Sequence, residues 1–546
     1  MRTVLAVGRN VAALTRLADV LAAFDDDPRI RVLFTIGPGS PHAAGTARLL
    51  SWYGAAFVDW RQAVRLRPDL VISTSSNGSL HRLRGPLMML PHGAGRHKLA
   101  RGPKSADAPY GLSRAQLVHR GRVLPDVLGV SHPDQLALLA RHCPQALPRA
   151  VLVGDPCFDR MRASAHLRDS FRTALGLAGR QRLVLVTSTW GSMSTFDASP
   201  ELPLRALREL PSDRYRVALA LHPNIWAEHG PMRVKSWYAT ARRAGLILVP
   251  WYDGWQAALL AADRVIGDHG SVTCYAAALG TPVLLGAAPS PDLVPGTPAT
   301  QLAAACPRLD EGRDLEPQLD ACADPDQVSI NARIAADDFG LPGDALHVLR
   351  SNAYRLMRLE PRDDEPDQPL IPRPDFAPIT VAAHRFEVSG PTPADPAYRL
   401  RSFPAVLGDR AAPQDAAFPL LAADAGSASG PQLSSADIVY LRHPAPSVAM
   451  DQTAAEQAAA ALLDTYPGCR ISALVANTHC VLFVRTDAES ALRLVGRLPE
   501  GRTGVDPLAI AAALYIARFG RVREAPGPES LPVRIAGQSL EISFTG

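Results

Sequence analysis

Residues 264–285 read RVIGDHGSVTCYAAALGTPVLL. An apolar run ends at Ile266, and a turn follows, Gly267-Asp268-His269-Gly270-Ser271. An apolar helical run then extends to Gly280, and Pro282 introduces a second apolar run, Val283–Leu285. Strand, tight turn, helix and strand in this order make a parallel βαβ unit, because parallel strands need a crossover helix. The start of that helix has unpaired N–H groups and the positive end of its dipole, which together hold phosphate. Ser271 adds a hydroxyl donor. The segment reads as an anion-binding turn, with a purely structural turn capped by Ser271 as the alternative.

The same rhythm runs outward in both directions. Short apolar runs at Val4–Val7, Arg31–Ile36, Asp69–Ser73, Leu87–Leu90, Val127–Val130 and Val151–Val153 predict one parallel sheet, with Val11–Phe24 as its first helix. Helical, arginine-rich sequence from Asp159 to Gly179 breaks the series. Runs at Arg182–Thr187, Arg216–Leu221, Leu246–Val249, Arg264–Ile266 and Val283–Leu285 then predict a second sheet. At 546 residues the chain exceeds what one hydrophobic core supports. The predicted division is two Rossmann-like α/β domains, 1–165 and 166–345, facing each other across a cleft. A linker or wrap-around segment, 346–380, leads into a small α+β domain, 381–546. In that last domain Asp437–Leu441 and Cys480–Val484 predict strands, and Thr453–Leu463 and Pro507–Phe519 predict helices. The Ala/Gly/Ser/Pro-rich stretch from Arg410 to Ser435 predicts a long mobile loop.

Composition is that of an ordinary globular chain, 47% hydrophobic and 20% charged with a net charge of +4. The charge is uneven: nine Lys or Arg residues and a single acid, Asp107, lie between Arg82 and Arg122. Such a stretch suits an anionic polymer or a membrane surface, or else a plain solvated face. Interleaved aromatics and nucleic-acid motifs are absent from it, which argues against nucleic acid. Lys98, Lys104 and Lys235 are the only lysines, a bias that suggests GC-rich, actinobacterial coding. The seven cysteines include no CxxC pair, which fits a reducing cytoplasm and no metal knuckle. No metal and no cofactor are expected. No apolar run reaches the roughly 20 residues of a membrane span, so a cytoplasmic protein, peripheral at most at the inner face of the membrane, is expected.

Two further turns sit at predicted strand ends. Leu221-His222-Pro223-Asn224 places a histidine where it could donate to a phosphate oxygen, although a structural loop histidine reads equally well. Leu90-Pro91-His92-Gly93-Ala94-Gly95-Arg96-His97-Lys98 joins glycines, which allow close approach of the backbone, to an imidazole that can act as a base. A basic surface turn is the alternative there. Trp251 and Trp255, near Asp253, could line a cleft or simply pack.

In this order the pieces resemble the CDP-glycerol glycerophosphotransferase family, the teichoic-acid polymerases and primases of the GT-B fold. The match runs through His92-Gly93-Ala94, Gly154-Asp155-Pro156-Cys157-Phe158-Asp159, Thr189-Trp190, His222-Pro223, and Gly267-Asp268-His269-Gly270-Ser271 with Pro282. The resemblance covers about residues 1–340 and implies a transferase that moves a glycerol-phosphate-like group from a CDP-alcohol to an acceptor hydroxyl, releasing CMP. It implies that His92 is the catalytic base. His222, Asp268, His269, Gly270, Ser271, Thr189 and Trp190 would bind the donor, and Gly93, Arg96 and Lys98 would contact phosphate or acceptor. The acceptor would be an anionic polymer or a lipid-linked alcohol. This sequence departs from the family at Ala94, at His269, and at Gly267 and Gly270, where the family has Thr, Tyr and Ser. A nucleotide-sugar glycosyltransferase or a UDP-GlcNAc 2-epimerase-like enzyme would need the same pyrophosphate grip. A non-catalytic binding protein on a degenerate scaffold is the third reading.

Overall fold

The structure, a computed structural model, describes residues 1–40, 43–100, 108–363, 366–376, 379–392, 395–408, 418–442, 452–486, 491–499, 504–519 and 529–546. Its first sheet is formed by β1 (Arg2–Gly8), β2 (Ile30–Ile36), β3 (Leu70–Ser73), β4 (Leu87–Met89), β5 (Val127–Val130) and β6 (Ala150–Leu152), in the order β2-β1-β3-β4-β5-β6. Every pairing in it is parallel. The second sheet is formed by β7 (Arg182–Ser188), β8 (Tyr215–Leu221), β9 (Ile247–Leu248), β10 (Arg264–Gly267) and β11 (Val283–Leu285), in the order β9-β8-β7-β10-β11 and again all parallel. The α/β reading of both halves therefore holds.

Strand and helix periodicities account for the cores. In α1 (Val11–Leu21) the buried Val11, Leu14 and Leu17 recur at helical spacing, and the Asn10 side chain caps the helix by accepting from the Ala13 N–H at 2.8 Å. A 3₁₀ turn, Ala22–Phe24, completes the predicted first helix. Strands buried on both faces, such as Val127–Val130, are continuously apolar because helices cover both sides.

The chain crosses between the halves twice. It leaves the first domain through Gly154-Asp155-Pro156 and returns after Gly340. The returning helix, α4 once α2 (Pro223–His229) and α3 (Ser271–Ala278) are counted, spans Ala345–Met357 and buries Leu349, Ala353, Tyr354 and Met357 in the first domain's core. The two crossings touch: the Asp159 carboxylate accepts from Gly343 and Ala345 N–H at 2.7 and 3.1 Å.

Beyond residue 380 the strands predicted at Asp437–Leu441 and Cys480–Val484 and the helices predicted at Thr453–Leu463 and Pro507–Phe519 are present, but they belong to a closed barrel that the small α+β expectation does not include. Nine strands close into a barrel: β12 (Ala383–Ser389), β13 (Tyr398–Pro404), β14 (Phe418–Asp424), β15 (Ile438–Arg442), β16 (Ile471–Val475), β17 (His479–Val484), β18 (Leu492–Arg497), β19 (Ser530–Ile535) and β20 (Gln538–Thr545). An apolar helix, α6 (Leu508–Phe519), packs with residues of the strands into one buried core, and α5 (Gln452–Thr465) packs in a separate one. The stretch from Arg410 to Ser435 is not one loop. Its residues 410–417 lie outside the described residues, but Phe418–Asp424 is a barrel strand and Gly430–Ser434 a short helix. Leu420 and Ala422 supply the inward apolar positions that make this a strand. The barrel meets the second domain at Asp213, just before β8. Its carboxylate accepts from Ser402 and Ala536 N–H at 2.8 and 3.0 Å. That is the amino end of the sheet, opposite the turns considered next. Among the described residues no helix is long and apolar enough to cross a membrane.

Candidate functional site

All the turns singled out from sequence sit at carboxyl ends of parallel strands, where open α/β sheets bind ligands. His92 follows β4. Its Nδ1 lies 3.2 Å from the Thr74 carbonyl oxygen, which can only accept, so Nδ1 carries the proton and Nε2 carries the lone pair. Tyr110 stands edge-on to the ring at a centroid distance of 5.8 Å. Burial pushes the imidazole down to about 4; the Thr74 hydrogen bond opposes this, and the charges of Arg16, Arg96 and Lys98 add to it. The ring is neutral at pH 7 and a weak base until negative charge arrives nearby.

Arg96 is buried and donates to the carbonyls of Gly129 and Tyr110 at 3.1 and 3.4 Å. Among the described residues no carboxylate pairs with it. Burial lowers it to about 10, which leaves it cationic at neutral pH.

On the second sheet, β7 lies between β8 and β10, so His222, Thr189-Trp190 and Asp268–Ser271 form one row along the carboxyl edge. His222 caps α2, its Nδ1 accepting from the Asn224 N–H at 3.1 Å, so the neutral ring carries its proton on Nε2. Trp190, 38% exposed, stands with its ring 6.2 Å from that of His222. Asp268 is turned inward. Its carboxylate accepts from the N–H groups of Thr189, Thr195 and Gly270, each at 2.9 Å, and so fastens the two turns together. It shapes the row and its side chain is fully occupied in doing so. His269 has a buried Nδ1 without a hydrogen-bond partner, and burial, then Lys98, lowers its pKa. Gly270, and not Ser271, is the N-cap of α3, with no side chain capping the helix start.

The two halves meet at these turns. A Cβ built on Gly93 would lie 2.5 Å from the Ser271 hydroxyl, so only glycine lets the backbone beside His92 approach so closely. Next to this contact, residues 97–99 run antiparallel to residues 292–294, with Leu99 N–H donating to Asp292 at 2.8 Å and Val294 N–H to His97 at 2.7 Å. Beneath lies a buried network: Arg16 of α1 donates to Asp155 and to the Tyr275 hydroxyl, which donates to Asp155 Oδ2 at 2.9 Å. Asp155 Oδ1 also accepts from Cys157 and Phe158 N–H at 2.9 and 3.0 Å.

The sequence alone singles out none of Arg16, Tyr275 and Asp338, and gives Asp155 and His97 only as parts of motifs. One signal was available: Arg16 interrupts an apolar stripe formed by Leu14, Leu17 and Val20. Trp251 lines a cavity of about 200 Å³ together with Tyr252, Lys235, Arg242 and Phe376. Tyr252 in turn reaches Trp52 of the first domain at 4.9 Å. Trp255 packs on Tyr275 in the second domain's core, and Asp253 accepts from the neighbouring Gly254 N–H at 2.7 Å.

No protein-family model matches the chain, and no curated protein matches it. Among solved structures it is similar to the wall teichoic acid polymerase TagF, at 16% identity and a TM-score of 0.44 over 65% of this chain and 89% of that one. It is also similar to UDP-GlcNAc 2-epimerase from Neisseria meningitidis bound to UDP-GlcNAc, at 14% identity and a TM-score of 0.40 over 65% of this chain and 100% of that one. S. aureus MnaA with UDP gives 12% identity and a TM-score of 0.41 over 67% of this chain and 100% of that one. Teichoic-acid polymerases are also the family that the sequence motifs resemble.

Proposed function

We propose that the chain is a transferase that takes a nucleotide-diphosphate donor between its two halves, moving a polyol-phosphate group from a CDP-alcohol to an acceptor hydroxyl. The acceptor oxygen attacks the β-phosphorus, the bond from that phosphorus to the bridging oxygen breaks, and CMP leaves with the bridging oxygen. His92 Nε2 takes the acceptor's proton. The uncapped start of α3, Ser271 and His222 hold the diphosphate, with Trp190 beside them. Lys98 and Arg96 supply positive charge from the opposite turn. Such chemistry is mostly positioning and charge neutralisation. The observation that carries this reading is the contact of Gly93 with Ser271, which sets a histidine turn against an uncapped helix start.

An anionic acceptor, a polymer or a lipid-linked alcohol at the inner face of the membrane, suits the exposed Arg82, Arg84, Arg114, Arg120 and Arg122. Stacking of His81 on His119 at 3.9 Å brings the two arginine-bearing segments together.

CMP release from CDP-glycerol in the presence of cell-envelope acceptors tests the proposal. His92→Ala should lower kcat by about 10²–10⁴-fold, the usual contribution of a positioned base, and unchanged turnover would remove His92 from that role. Thermal shifts separate the alternatives, since bound ligand raises apparent stability. A larger shift with UDP than with CDP ligands would favour a nucleotide-sugar enzyme. No shift with either would favour a non-catalytic scaffold.

A further inference from the structure

Below the Gly93–Ser271 contact lies a second buried cluster, which the proposed transfer does not use. His97 comes from the first domain's turn, Cys274 from α3, and Asp338 from the segment after the helix Pro325–Ala336. All three are buried, and one donor atom from each lies within 4.8 Å of the other two. His97 Nε2 is 2.7 Å from Asp338 Oδ1, and His97 Nδ1 is 3.9 Å from Cys274 Sγ.

We propose that His97, Cys274 and Asp338 bind a divalent transition metal of the zinc class, which staples the two Rossmann halves together. Imidazole, thiolate and carboxylate are the donors such an ion takes, and three protein ligands leave a fourth position for water. The observations that point to a ligand are independent of the donor types. Asp338 is 1% exposed, yet its Oδ2 has no hydrogen-bond partner. A cavity of about 10 Å³ adjoins Cys274 and is lined also by His269 and Thr273. That is about the space one water needs. His269 Nδ1 and Thr273 Oγ1 beside it are buried without hydrogen-bond partners, and the cavity touches the cluster through Cys274, its lining including neither His97 nor Asp338. The backbone is fitted closely to the cluster. Gly95 has φ +57°, and a Cβ on it would lie 2.1 Å from His97 Nε2 and 2.4 Å from Asp338 Oδ1.

Charge supports the same ion. A thiolate, a carboxylate and a neutral imidazole cancel a divalent cation, so the loaded site buries no net charge. The same residues do not form a nucleophilic cysteine site. Burial, then Asp338, raises the Cys274 thiol well above its ordinary value, so without metal it is a protonated thiol. A coordinating cation reverses this by deprotonating it. On loading, the thiol proton leaves to solvent and the proton between His97 Nε2 and Asp338 moves to His97 Nδ1, so the ring stays neutral and Nε2 is free to hold the ion.

No local spacing along the sequence marks these donors, and from sequence alone no metal is expected. These donors are separated by 177 residues from His97 to Cys274 and by 241 from His97 to Asp338.

The test uses the full chain stripped with a chelator and titrated with Zn²⁺ against a chromogenic chelator, then with Co²⁺ by absorption spectroscopy. The expected result is one ion per chain, a thiolate-to-cobalt charge-transfer band, and a Tm raised by about 5 °C at a hundredfold excess over Kd. Cys274→Ser should abolish the band and weaken binding at least about tenfold, whereas Cys306→Ser, a buried thiol outside the cluster, should do neither. Substoichiometric binding by the wild-type chain, or a charge-transfer band that survives Cys274→Ser, overturns the proposal. If Cys274→Ser does not fold, the wild-type stoichiometry and cobalt spectrum decide. None of these readouts depends on nucleotide turnover, so they stand or fall apart from the transferase reading.

Discussion

Two buried polar clusters lie side by side between the Rossmann halves, on consecutive residues of one helix. Tyr275 joins Arg16 and Asp155; Cys274 joins His97 and Asp338. In the first cluster both carboxylate oxygens are engaged, by a guanidinium, a hydroxyl and two backbone N–H groups. In the second, one carboxylate oxygen has no hydrogen-bond partner. The difference teaches how to separate structure from function in a protein interior. Buried polar groups that are fully satisfied hold a fold in one arrangement, whereas one with an open oxygen has room for a water or an ion.

The most severe way to break this comparison is Asp155→Asn. It removes the carboxylate hydrogen-bonded to the buried Arg16 and leaves that charge only the attraction of Asp19, and urea unfolding should show a loss of about 3–5 kcal/mol. A loss below about 1 kcal/mol would mean that the first cluster holds nothing. Asp338→Asn in the metal-free chain should cost less, about 1–3 kcal/mol, because it weakens one hydrogen-bonded pair and leaves no strong charge unmatched. Equal losses for the two variants would erase the distinction. Between the clusters and the cleft, Gly93→Ala should destabilise by about 1–3 kcal/mol through overpacking on Ser271. Adding Ser271→Ala should recover part of that loss, since the hydroxyl is the atom approached.

Neither the pairing of these clusters nor the barrel was legible in sequence, while most of the Rossmann framework was. Val127–Val130 and Val283–Leu285 were read to the residue, because strands buried on both faces are uninterrupted apolar runs bounded by turn residues. The strand-end turns were legible for the same local reason. The predicted barrel strands are the apolar ones, Ile438–Arg442 and His479–Val484; charges interrupt others, Arg399 and Arg401 in β13 and Arg385 and the buried Glu387 in β12. The Gln538–Thr545 strand alternates buried and exposed residues without exception, a period-two signal carried by QSLEISFT. Phe418–Asp424 was hidden by the small-residue composition around it. The Arg16–Asp155–Tyr275 and His97–Cys274–Asp338 contacts are products of domain docking, and spacing along the chain says nothing about them.

The effect of pH is of the same order as these losses of stability. His92 and His384 are both held at about 4 in the folded chain, chiefly by burial, against an ordinary value of 6.5. Each is depressed on folding, so its stabilising contribution is present above pH 6.5 and is lost as pH falls toward 4. Chemical denaturation from pH 7 to 4 should show that decline, and it should shrink in His384→Gln. On the proposed function, the acid limb of kcat/KM should fall near pH 4 and not near 6.5, because it reports the base in the free enzyme.

The double passage of the chain between the halves limits how they can part. Gly154, where the outgoing segment leaves, would place a Cβ 2.8 Å from the carbonyl oxygen of Gly340, on the returning segment. With both segments fastened at one spot, the halves resemble the covers of a book sharing a spine. The two crossings by themselves permit a swing about that spine and oppose sliding of one cover over the other, and the Leu99–Asp292 and Val294–His97 backbone bonds would have to open for the swing.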